Sequence, residues 1–113
     1  MVAAMRVNPD RCAAAVSDPL LLATDLADYL VRRGVPFRKA HELVGKAVAV
    51  AVGSGTPLHQ LTLEQFREIS PEYAEDVHSV FNLDRAFALR TNPGAPNPDN
   101  TARRLAYWKE QLA

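Results

Sequence analysis

The 113 residues carry 13 lysines and arginines against 13 aspartates and glutamates, a formal net charge of zero at pH 7. With no single-sign field to attract a polyanion, a nucleic-acid partner is disfavoured. Cys12 is the single cysteine, which excludes an intramolecular disulfide framework and any cysteine-based zinc site. No apolar run of roughly 18 residues and no signal peptide is present, so a soluble, cytoplasmic chain with no membrane partner is expected.

Val2 to Val7 reads as the tail of something longer. Asn8-Pro9, Asp18-Pro19, Ser70-Pro71 and Asn97-Pro98 each join a side chain that accepts a free backbone N–H to a proline that lacks one, and each is expected to open a helix. From Pro19 to Arg33 the residues Leu22, Leu26, Tyr29 and Leu30 recur at three and four, with Asp25, Asp28 and Arg32 on the opposite side, the mark of an amphipathic helix. Gly34 closes that helix in a left-handed turn, and Val35-Pro36 opens the next.

From Pro36 to Val52 the apolar stripe is Phe37, Ala40, Val44, Ala47, Val48 and Ala51, against a wet face of Arg38, Lys39, Glu42 and Lys46. The two segments predict a helical hairpin. Gly45 inside the second helix costs about 1 kcal/mol relative to alanine, which predicts that a neighbouring backbone packs closely there. Gly53-Ser54-Gly55 stops the helix. Thr62 and Gln65 form a capping box for a short helix ending near Ile69. Pro71 to Val80, and Leu83 to Leu89 capped by Asn82, are two further short helices. Thr91 to Asn97 is a loop by composition, and Pro98 to Leu112 is a final helix, polar for two turns before Leu105, Tyr107, Trp108 and Leu112. No alternating strand, internal repeat or low-complexity tract appears. The expected fold is all-α, a small multi-helix domain of about six to seven helices with one helical hairpin.

Chemistry-bearing residues are few. The histidines at 41, 59 and 78 lack the spacing of a zinc site. His41 borders its helix's apolar stripe as a packed structural residue, while His59 and His78 are expected to be solvated. Cys12 among alanines reads as a small buried hydrophobe. Asp25, Asp28 and Arg32 read as a solvated helix face with an acid four residues before a base. Gly53-Ser54-Gly55 lacks the lysine and preceding strand of a phosphate loop. No catalytic, cofactor-binding or metal-ligating residue is assigned.

From Leu21 to Gly45 the sequence LLATDLADYLVRRGVPFRKAHELVG resembles the third domain of argininosuccinate lyases. The likeness continues through Leu61-Thr62-Leu63-Glu64, Ser70-Pro71-Glu72 and Glu75-Asp76-Val77. Residues 3–18 look like the stretch just before it. It departs at Thr91 to Pro96, where the family often places two glycines and this chain has Pro93-Gly94. The resemblance implies a boundary near residue 18, with 1–18 the end of a preceding region and 19–113 the third domain. It also implies a cofactor-free β-elimination giving arginine and fumarate, in a homotetramer built around a long helix bundle. The family's Gly-Ser-Ser-x-Met-Pro-x-Lys-x-Asn loop and its acid–base histidine are not matched by any part of the sequence, so the expectation is a supporting domain, inactive alone. The remainder of the lyase would be its partner, and weak self-association would follow from apolar ends. Two other readings stand beside this one. One is a free-standing helical interaction module. The other is a helix-turn-helix DNA reader, which the zero net charge opposes.

Overall fold

The structure, a computed structural model, describes all residues 1–113. Six α-helices and four short 3-10 segments follow one another with no strand. The helices are α1 (Pro9–Ala15), α2 (Ala23–Arg32), α3 (Phe37–Ser54), α4 (Leu63–Ile69), α5 (Leu83–Ala88) and α6 (Pro98–Gln111). The 3-10 segments are Val2–Ala4, Pro19–Leu22, Leu58–Gln60 and Glu75–Phe81. The all-α expectation therefore holds.

Caps set most of these boundaries. The side chains of Asn8, Asp18, Asn82 and Asn97 each accept a backbone N–H of the first turn that follows, satisfying donors a helix start leaves free. The capping box of α4 is complete: Thr62 Oγ1 accepts the Gln65 N–H at 3.2 Å and Gln65 Oε1 accepts the Thr62 N–H at 2.9 Å. Gly34, at φ 90°, ends α2. There the Val35 N–H reaches the Leu30 carbonyl at 3.1 Å and the Gly34 N–H reaches that of Val31 at 2.9 Å, the paired bonds of a Schellman turn.

The core lies between the α2–α3 hairpin and the elements after it. Leu26, Ala27, Tyr29 and Leu30 of α2 meet Ala40, Leu43, Val44, Ala47 and Ala51 of α3. The alanines let the two helix axes approach closely. Leu58, Leu61, Phe66, Tyr73, Val77 and Val80 close the cluster. Phe66 and Tyr73 are its largest fully enclosed side chains, their rings tilted at 5.0 Å.

Four expectations are overturned. Ser70-Pro71 opens no helix: Ser70 ends α4, the chain turns, and the 3-10 segment begins only at Glu75. The turn delivers Tyr73 into the core, and the Ala74 N–H then donates to the Tyr29 hydroxyl at 3.1 Å. Gly45 has no neighbour within 4 Å of where a Cβ would stand, so nothing in this chain packs against it. Phe37, at the first turn of α3, points outward and is 61 % exposed. Cys12 is exposed rather than buried, because no residue of α1 is covered by the rest of the chain.

Both ends project from the body. Residues 1–18 are exposed throughout and α6 has no buried residue. The radius of gyration is 17.7 Å and the extents are 57 × 30 × 22 Å, where a compact chain of this length would have a radius near 13 Å, by about 2.2·N^0.38. The body is compact and the ends are arms.

Candidate functional site

The polar chemistry gathers on α2. Its outer residues face two places: a locked junction with the Glu75–Phe81 segment, and a cleft beside α5.

At the junction, the Tyr29 hydroxyl donates to Asp76 Oδ1 at 2.7 Å and accepts the Ala74 N–H. Arg33 Nη2 donates to the same carboxylate oxygen at 2.8 Å, and its guanidinium lies 4.7 Å from the Tyr29 ring centroid. The Tyr29 hydroxyl bond, and then Arg33, hold the Asp76 carboxyl below its ordinary range. Burial, then the bond to Asp76, raises the Tyr29 phenol. Behind it Tyr73 stacks at 6.3 Å, and burial pushes its phenol up to about 12. The Tyr73 hydroxyl is enclosed with no hydrogen-bond partner. The tyrosine nearest solvent thus uses its oxygen twice and the deeper one not at all.

In the cleft, Asp25 Oδ2 accepts from Arg90 Nη2 at 3.0 Å, and Arg90 Nη1 also donates to the Ala86 carbonyl. Asp25 is thus no solvated helix-face acid; it ties α2 to the segment after α5, across 65 residues of sequence. Asp28 and Arg32 remain exposed and make no ion pair with each other or with any other group. With Leu89, Arg90 and Asn92 these residues line a polar cavity of about 260 Å³.

The histidines stay apart. His41, on α3, is exposed rather than packed as expected, its ring tilted against the likewise exposed Phe37 at 6.3 Å. His59 is exposed against Phe81 at 6.3 Å. His78 is exposed, as expected, and also makes one specific bond: Nε2 donates to the Leu61 carbonyl at 2.8 Å, and the ring stands edge-on to Phe66 at 5.9 Å. None contacts an acid, a hydroxyl or Cys12 in the pattern of a nucleophile and its base. Gly53-Ser54-Gly55 closes α3, with Gly55 left-handed at φ 66°. No helix is long and apolar enough to cross a membrane.

The bonds across the junction and the cleft fix helices rather than move protons. Sequence reading missed both because their partners lie 47 and 65 residues apart, distances at which no periodicity or cap signals a pair.

Comparison with known proteins supplies what the geometry lacks. Residues 20–88 match the family described as argininosuccinate lyase C-terminal. The argininosuccinate lyase of Roseiflexus sp. is 49 % identical over 105 residues, 93 % of this chain and 23 % of its own length. That of Halorhodospira halophila is 42 % identical over 113 residues, the whole of this chain and 24 % of its own. That of Chloroflexus aurantiacus is 41 % identical over 111 residues, again 24 % of its length. The chain spans about a quarter of the lyases it resembles.

Proposed function

The chain belongs to the argininosuccinate lyase family, matching its C-terminal region, and we propose that it supports a lyase active site whose chemistry resides in other parts of the enzyme. The reaction is the β-elimination of argininosuccinate to arginine and fumarate, carried out in the cytoplasm by a homotetramer. Residues 1–18 are the end of the preceding region and residues 19–113 the third domain.

One observation carries this reading. The whole chain aligns, at 42 % identity, with a quarter of a lyase, while the polar groups gathered at its junction and cleft, Tyr29, Asp76, Asp25 and Arg90, hold elements of the fold together. No residue is assigned a catalytic, cofactor-binding or metal-binding role. A free-standing interaction module is not favoured, because the relatives carry this sequence within chains about four times as long.

The purified 113-residue chain is expected to release no fumarate from argininosuccinate, followed by ultraviolet absorbance. Replacing the C-terminal quarter of the Roseiflexus lyase by this chain is expected to leave an active enzyme. Turnover by the isolated chain above a mock preparation would sink the supporting role.

A further inference from the structure

We propose that α6 is a docking helix whose stripe of Thr101, Leu105, Trp108 and Leu112 seats on an apolar helical surface bordered by acids, in the part of the lyase that precedes this chain. This rests on the lyase reading above.

The four residues recur at intervals of four, three and four, which places them on one side of a helix. Leu105, Trp108 and Leu112 are 54 %, 48 % and 80 % exposed. α6 spans 14 residues and buries none of them against its own chain. A helix of that length is marginal in water without a packed face, so its apolar stripe needs a cover that the rest of these 113 residues does not give.

The alignments extend beyond the family match. The family match ends at residue 88, yet the Halorhodospira lyase aligns with all 113 residues. The segment that forms α6 is thus part of the lyase sequence and not an addition to it. About three quarters of each relative lies outside the aligned segment.

Charge selects the partner's chemistry. At 100° per residue, Arg104 and Lys109 flank the stripe on either side, while the acids of α6, Asp99 and Glu110, fall away from it. The Arg104 guanidinium sits 5.6 Å from the Tyr107 ring centroid and 5.9 Å from that of Trp108, along the stripe's edge. Two copies of α6 laid face to face bring these cations together, which opposes tight self-pairing. An apolar surface bordered by aspartate or glutamate meets both requirements.

The test compares amide hydrogen exchange of residues 98–112 in the isolated chain with that in the Roseiflexus lyase carrying this chain as its C-terminal quarter. The expected result is near-unprotected exchange in the isolated chain at micromolar concentration and protection of about 100-fold or more in the active chimera. Leu105→Glu combined with Leu112→Glu is expected to remove that protection while leaving α2 and α3 protected. Residues 98–112 already protected in the isolated monomer would overturn the proposal, since α6 would then be covered by its own chain. Protection gained by the isolated chain only on forming a tight dimer would overturn it in favour of a second copy. Unprotected α6 in an active chimera would overturn it while leaving the lyase reading intact. A folded but inactive chimera would overturn the lyase reading and this proposal together.

Discussion

Tyr29→Phe removes one oxygen and with it two bonds. The hydroxyl donates to Asp76 at 2.7 Å and accepts the Ala74 N–H at 3.1 Å. A hydrogen bond to a charged partner contributes roughly 1.5–3 kcal/mol, and an N–H left without an acceptor costs about 1 kcal/mol when buried. Asp76's side chain is 51 % exposed, so the first figure belongs at its low end, and the half-buried Ala74 N–H regains part of the second from water. The expected loss is about 2 kcal/mol, or about 8 °C in melting temperature for a chain of this size. Urea denaturation followed by far-UV circular dichroism reads it at neutral pH. The loss depends on pH with a definite sign. Tyr29 holds the folded Asp76 carboxyl below its ordinary range, so this stabilisation is present above the unfolded pKa of about 4 and disappears as pH falls through the depressed folded value. The gap between Tyr29→Phe and the parent is therefore expected to narrow in acid. A double-mutant cycle with Asp76→Ala isolates the pair. Strict additivity of the two substitutions, or an unchanged midpoint for Tyr29→Phe, would refute the reasoning.

Tyr73→Phe carries the opposite expectation: its hydroxyl is enclosed without a partner, so removing it is neutral or stabilising by up to about 1 kcal/mol, read by the same denaturation. Because burial raises the Tyr73 phenol from 10.0 to about 12, its titration leaves stability untouched below pH 10 and lowers it as pH rises through that interval, where only the unfolded phenol ionises. Alkaline unfolding is expected to be less steep in Tyr73→Phe, and an identical pH profile would count against the assignment. Gly34→Val is expected to cost at least about 1 kcal/mol: φ is 90° and a Cβ there would meet nothing within 4 Å, so backbone strain is the expected origin, and an unchanged denaturation midpoint contradicts it. The isolated chain is expected to self-associate weakly, well above micromolar concentration, through its exposed ends. Sedimentation velocity over a hundredfold dilution, with emission from Trp108, the sole tryptophan, follows it. A strict monomer at millimolar concentration would show that the ends do not associate.

The α2–α3 hairpin was legible because its signals are local. Gly34 and Gly55 end the two helices, and Leu26, Leu30, Ala40, Val44, Ala47 and Ala51 occupy the face their period assigns. What sequence hides here is whatever another element decides. Ser70-Pro71 carries a good helix start, but the core demand for Tyr73 and the Tyr29 hydroxyl waiting for the Ala74 N–H turn the chain instead. Cys12 and Phe37 have apolar character yet are exposed, because composition reports what a residue tolerates and not whether a neighbour arrives. Asp25 reads in sequence as an acid of a solvated helix face and instead reaches Arg90. His78 offered no sign of its bond to the Leu61 carbonyl.

Asn97 is buried, and every polar atom of its side chain is used. Nδ2 donates to the Ala88 carbonyl at 2.9 Å and to that of Phe87 at 3.4 Å, while Oδ1 accepts the N–H groups of Asp99 and Asn100. One amide therefore caps the start of α6 and grips the end of α5. α6 extends about 21 Å from that pivot at 1.5 Å per residue, so a swing of roughly 10° at Asn97 moves its far end by about 4 Å. The heading of the lever is set within its first turn, by Asn97 and by Asn100, whose Nδ2 donates to the Thr91 and Asn92 carbonyls. A substitution there alters where Leu112 arrives far more than it alters the body it leaves.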